Sequence, residues 1–170
     1  MMERRGGKDL LENYDWGYIK LSTTSNYTNG LRTPLILSDM IKDTIKDKVF
    51  CDLGCSEGDF ALCCKRYASH VIAVDIDKDK VEICKMKGLD AICGDLLTME
   101  IPEADVYYIW IGRYSLQVYE RVKYGKLIIF GNQAGETKEA IERLPNIVKN
   151  SFPYTRDTIP MTWLYYMKMK

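Results

Sequence analysis

Long apolar runs are missing from this 170-residue chain, and that removes one class of protein at once. No stretch approaches the roughly 18 consecutive apolar residues of a membrane-spanning helix. The longest, 106–111 and 127–130, have the length of strands. The start, MMERRGGKDL, carries charge with no apolar segment behind it, which is not the form of a secretory signal. Excess charge is missing as well, since 24 basic residues balance 24 acidic ones. A broadly basic nucleic-acid-binding surface is therefore not expected, although a local patch is not excluded. The chain is expected to be soluble and cytoplasmic, with no membrane association.

Metal-ligand patterns are also scarce. His70 is the only histidine. The cysteines, Cys51, Cys55, Cys63, Cys64, Cys84 and Cys93, lack the paired spacing of a zinc site. Each sits where a small core residue fits, so reduced, packed thiols are expected, and no metal. Internal repeats, low-complexity segments and linkers are absent too.

What is present is ordinary in amount and informative in order. A chain 46% hydrophobic and 28% charged is expected to fold around one core. Residues 1–32 carry no strong period and read as an N-terminal arm or lid, and 33–170 read as one domain. A helix is expected over 33–46, with Thr33 as its cap and Pro34 in its first turn. Strands are expected at 48–53, 70–75, 91–93, 105–111 and 126–130. Helices fall between them at 59–68, 78–87, 115–122 and 136–144, with Gly88 capping the second and Pro145 stopping the last. Segment 162–169 alternates like an edge or antiparallel strand. This order predicts an α/β fold: a doubly wound, mostly parallel sheet of the seven-stranded type, helices on both faces, and an antiparallel C-terminal strand.

Open α/β sheets bind ligands at the carboxyl ends of their strands, so the first such loop matters most. It reads VFCDLGCSEGDF, residues 49–60. Gly54 and Gly58 bracket Cys55, Ser56 and Glu57, and Asp52 stands two residues ahead. Glycines let a main chain turn sharply and approach a ligand closely. A tight turn with no ligand is the plain alternative. A dinucleotide fingerprint fails here, because Ser56 occupies the place of its second glycine and Phe60 lies near its third. A carboxylate at Glu57 or Asp59 would repel phosphate at the helix start. No Gly-Lys-Ser/Thr follows, so a phosphate-binding P-loop fails too.

The stretch 51–58, CDLGCSEG, resembles the first motif of class I S-adenosylmethionine-dependent methyltransferases, an acid followed by a glycine-rich turn, from which it departs at Ser56. Two further matches follow. The second strand ends in Asp75, 23 residues after Asp52, and the third runs into Gly94, Asp95 and Leu96. The likeness covers about 49–110 well and the rest in outline. It implies S-adenosylmethionine as cofactor. Asp52 would stand near the methionine ammonium, and Gly54, Cys55, Ser56 and Gly58 would pass beneath the cofactor. Asp75, with neighbouring Ile76, would take the ribose hydroxyls, and Gly94, Asp95 and Leu96 would meet the adenine. Trp110 borders the cofactor, stacks on an acceptor, or belongs to the core. Asp75 is alternatively a strand-end cap, and Asp95 an Asx-turn. A sulfonium cation without phosphate suits an acid-rich turn.

The acceptor is less legible. The sequence after the fourth strand, YIWIGRY, is not the Asn/Asp-Pro-Pro-aromatic motif of adenine-amino methyltransferases. A Pro-Cys pair and a Lys-Asp-Lys-Glu tetrad are missing as well. Arg113, Tyr114, Asn132 and Gln133 are candidates for the acceptor side, and 27–33 for a closing lid. The acceptor is a protein, an RNA or a small molecule, and a protein partner or homo-oligomer is expected. No catalytic residue is assigned, because methyl displacement needs a base only when the acceptor must lose a proton early. Two other readings are carried: a nicotinamide oxidoreductase, disfavoured by Ser56, and a non-catalytic subunit that binds the cofactor and supports a partner.

Overall fold

The computed structural model describes residues 32–131, 135–152 and 162–168. Five parallel strands form the centre of the sheet: β1 (Val49–Leu53), β2 (His70–Asp75), β3 (Asp90–Cys93), β4 (Val106–Ile109) and β5 (Leu127–Phe130). Two more complete it, β6 (Ile147–Phe152) and β7 (Thr162–Lys168), with β7 antiparallel to both its neighbours. The strand order is β3-β2-β1-β4-β5-β7-β6. Strand order therefore reverses between β1 and β4, where a ligand crevice is expected. The helices are α1 (Arg32–Met40), α2 (Lys42–Ile45), α3 (Asp59–Cys64), α4 (Lys78–Met86), α5 (Ser115–Arg121) and α6 (Gly135–Glu142). Among the described residues no helix is long and apolar enough to cross a membrane.

The period-two rule explains the two cores. Phe50, Val71, Ala73, Tyr108 and Ile129 point to one face, where α1, α2, α3 and α4 bring Leu37, Ile41, Ile45, Leu62 and Cys84. Leu53, Val74, Tyr107, Ile109, Ile128 and Phe130 point to the other, against Val118, Val122 and Ile141 of the α5 and α6 region. Both faces of the central strands are buried, so their sequences are nearly continuously apolar. Arg66, in the turns after α3, ties that segment to α1 on the first face. Its guanidinium donates to Ser38 Oγ at 2.8 Å and to Asp39 Oδ1 at 3.0 Å.

The doubly wound architecture and the antiparallel last strand agree with the sequence reading, and four details do not. The helix expected from a Thr33 cap starts at Arg32 and breaks at Ile41. The helix expected over 59–68 ends at Cys64 and continues as turns. Strand β6 was not expected, because IVKNSF has little alternation and β7 supplies its pairing. Strict alternation also fails between β3 and β4: 94–105 joins them without a helix, so the second face is only partly covered. Its own chemistry explains this. Asp95 Oδ1 accepts the Leu97 N–H at 2.9 Å, and its carbonyl accepts those of Thr98 and Met99. Pro102 follows and has no N–H to give. The Tyr107 hydroxyl donates to the Pro102 carbonyl at 2.5 Å and accepts the Ala104 N–H at 2.9 Å, which fixes the loop. The expected arm lies outside the described residues, apart from Arg32.

Phe50 is fully buried and meets Phe60 edge-on, ring centroids 6.0 Å apart. Phe50→Ala should cost about 3–5 kcal/mol, read as a lower urea midpoint at unchanged slope.

Candidate cofactor site

The glycine turn lies at the reversal of strand order. Gly54 has φ +86°, Ser56 +53° and Gly58 +85°, so three residues within five are left-handed. For Ser56 that conformation costs about 1–2 kcal/mol, which surrounding bonds must offset. Its N–H donates to Asp75 Oδ2 at 2.8 Å, and its carbonyl accepts from the Cys84 thiol at 3.2 Å. The N–H groups of Gly54 and Cys55 both donate to the Val74 carbonyl. A Cβ on Gly54 would collide with Ile111 Cγ2 and lie 3.3 Å from the Trp110 carbonyl oxygen. The turn is thus pressed against the exit of β4. On its other side a Cβ on Gly58 would meet Leu89 Cδ1 at 2.6 Å and Cys84 Sγ at 2.8 Å.

The acids expected at successive strand ends are found there. Asp52 sits near the end of β1, opposite Ala73 and Tyr108, and is 3% exposed. Among the described residues nothing donates a hydrogen bond to its carboxylate. Burial, and then the charge of Asp75, push it up to about 7. Asp75 closes β2, and its other oxygen accepts the Asp77 N–H at 2.9 Å. Each of its oxygens keeps a second acceptor site. Asp77 caps α4 through the N–H groups of Asp79 and Lys80. Asp95 spends one oxygen on its Asx-turn.

The remaining predicted residues divide by side-chain direction. Ile76 is 68% exposed and Trp110 50%, so two large apolar groups stand open at the ends of β2 and β4. Trp110 leans over Gly131, where a Cβ would lie 2.7 Å from its Cγ. Leu96 and Cys55 instead turn into the core, which leaves only their main chain for a ligand. A Cβ on Gly94 would lie 2.7 Å from Met99 Sδ, so that position is tightly packed. Arg113 and Tyr114 are exposed and paired, the guanidinium 4.9 Å from the ring centroid and donating to the hydroxyl at 2.7 Å. Asn132, Gln133 and the proposed lid at 27–33 lie outside the described residues, Arg32 and Thr33 excepted. All six cysteines are free, but Cys93 is exposed, contrary to its expected core place, because it is the last residue of β3, the edge strand of the sheet.

Two cations near the site were not anticipated. The Lys87 side chain is fully buried and donates to the Glu57 carbonyl at 2.7 Å and to Asp59 Oδ1 at 2.5 Å. Burial raises the Asp59 carboxyl, and the attraction of Lys87 only partly offsets this. Arg121 donates to the Leu96 carbonyl and, at 2.8 Å, to the Met99 carbonyl, so α5 holds the loop after β3. Lysine and arginine in amphipathic helices normally read as solvated, so the sequence carried no signal for either.

Fold and site together define a doubly wound α/β protein with an acid-lined glycine turn at the strand-order reversal. Residues 51–121 match the family model described as a methyltransferase domain. A Thermoplasma acidophilum protein is similar in structure, at 16% identity over 89% of this chain and 94% of its own, TM-score 0.62. So is a putative RNA methyltransferase from Pyrococcus horikoshii, at 15% identity over 85% and 87%, TM-score 0.59. A third is an RNA methyltransferase from Salinibacter ruber in complex with S-adenosyl-L-homocysteine, at 16% identity over 82% and 89%, TM-score 0.54. No curated protein matches the sequence. The resemblance to class I S-adenosylmethionine-dependent methyltransferases is borne out.

Two outcomes follow from the geometry. Gly54→Ala should lose about 1–3 kcal/mol of stability in urea titration, from a left-handed alanine and its clash. An Asp raised from 3.8 to about 7 favours the unfolded state progressively as pH rises between those values. The stability gained by Asp52→Asn should therefore grow from pH 4 to pH 7 and then level off, at roughly 2–4 kcal/mol. A pH-independent gain would contradict this.

Proposed function

We propose that the chain is a methyltransferase that binds S-adenosylmethionine across the glycine turn and transfers its methyl group to an acceptor entering beside Trp110. The observation that carries the reading is Asp52, a buried carboxylate with no hydrogen-bond donor among the described residues, two positions before a close-packed glycine turn. A buried acid beside a second acid is costly alone and favourable next to a cation. Such a pair disfavours phosphate. The residues therefore fit a cationic nucleoside, which supports both the cofactor and the reaction class.

When bound, S-adenosylmethionine supplies a methyl group on a sulfonium, which an acceptor displaces in line. The chain's own part is positioning and exclusion of water. Asp52 faces the ammonium, and Asp75 takes the ribose hydroxyls on its second acceptor sites while holding the turn through Ser56. Ile76 covers the nucleoside, and Trp110 separates it from the acceptor. Arg113 and Tyr114 offer a cation and a ring on the acceptor side. Similar folds are found in proteins described as an RNA methyltransferase and a ribosomal protein L11 methylase. The acceptor is a protein, an RNA or a small molecule, and radiolabelled methyl transfer into fractionated extract identifies which. The non-catalytic alternative gains no support from the fold or the site.

Calorimetry with S-adenosylmethionine, S-adenosylhomocysteine and NAD tests the cofactor. Binding of NAD with neither sulfur compound would overturn the reading. Asp75→Ala should weaken S-adenosylhomocysteine binding by about tenfold or more, the loss of hydrogen bonds to a charged group. Affinity for the cationic cofactor should also fall as pH drops through about 7, where Asp52 takes up its proton. Asp52→Asn should bind weakly at every pH.

A further inference from the structure

The buried ammonium of Lys87 is used by none of these steps. Its side chain has no exposure, an unusual place for lysine unless the charge is compensated. Asp59 Oδ1, at 2.5 Å, supplies that compensation. A charge pair alone would be satisfied there, yet the same ammonium also donates to the Glu57 carbonyl at 2.7 Å. Glu57 stands between the two left-handed residues Ser56 and Gly58. The preceding carbonyl, of Ser56, is held by the Cys84 thiol at 3.2 Å. Two consecutive carbonyls of the turn are therefore anchored to side chains one helical turn apart at the end of α4.

The end of α4 is itself rigidly placed. Gly88 is left-handed at φ +79°, and the Leu89 N–H donates back to the Cys84 carbonyl at 3.1 Å, a closed helix terminus. Cys84 and Leu89 also fill the space into which a Cβ on Gly58 would project. A planar peptide turns as one unit, so an anchored Glu57 carbonyl fixes the Glu57–Gly58 plane.

We infer that Lys87 is a positioning residue of the cofactor site: through the Glu57 carbonyl it fixes the glycine turn in its ligand-ready shape. The inference rests on the reading of that turn as the cofactor site. Lys87 does not touch the cofactor. It acts from beneath the turn, and it should govern affinity beyond its effect on stability.

The test separates the two partners of the ammonium in the full-length chain. Lys87→Met removes both interactions and leaves Asp59 buried without a cation. Lys87→Met combined with Asp59→Asn removes the charge problem but not the missing anchor. S-adenosylhomocysteine affinity is read by calorimetry, and the melting temperature is read separately without ligand. The double variant is expected to regain much of the melting temperature lost by Lys87→Met. Its affinity should stay about tenfold weaker than wild type, the loss of one charge-assisted hydrogen bond. Wild-type affinity in the double variant would overturn the inference and reduce Lys87 to a counter-ion for Asp59. Should the double variant not fold, Lys87→Arg replaces it. Arginine keeps the charge and a donor and should keep most of the affinity, and a loss equal to that of Lys87→Met would overturn the inference. Failure of the wild type to bind S-adenosylhomocysteine or S-adenosylmethionine would instead sink the proposed function, and the inference with it.

Discussion

One carboxylate holds the site together. Asp75 ends β2 and accepts the Ser56 N–H on one oxygen and the Asp77 N–H on the other. The first bond carries the glycine turn after β1 onto β2, and the second starts the approach to α4. A left-handed serine is tolerable because that bond and the Cys84 thiol hold it. The cost appears one strand away. The charge of Asp75, added to burial, lifts the Asp52 carboxyl toward neutral pH. The two acids thus form an unfavourable charge arrangement that a cationic ligand would relieve, a common origin of the opposition between stability and function.

Much of the fold was legible because the apolar periods are strong. His70–Asp75 is read from its β-branched residues and is found with those bounds. Gly88 predicts the end of α4 because only a residue tolerant of positive φ closes a helix that way. The acids at the ends of β1 and β2 and after β3 were legible from spacing, since a parallel sheet brings its strand ends to one side. Those readings rest on local rules that the tertiary structure did not override.

The parts that escaped depend on contacts distant in sequence. β6 is a strand because β7 pairs with it, not because IVKNSF asks to be one. The chain from 94 to 105 has no helix because an Asx-turn and Tyr107 hold it in another shape. Leu96 looked like part of the pocket from its place after Asp95, yet its side chain packs into the core. Lys87 and Arg121 look like surface residues, yet both bind main-chain carbonyls of the loops after β1 and β3. A long cationic side chain can reach an unsatisfied carbonyl from several residues away, and no periodicity encodes that reach.

The edge position of β3 makes one of six thiols different from the others. Cys93 is exposed, and its Sγ lies 3.5 Å from the Ile76 carbonyl, just past the end of β2, while the other five are buried. Burial keeps the thiols of Cys51 and Cys64 protonated, and the hydrogen bond with Cys84 together with burial does so for Cys55, so these three are unreactive. The molecule thus carries an exposed thiol across from Asp75, an attachment point for a fluorophore that needs no engineered cysteine.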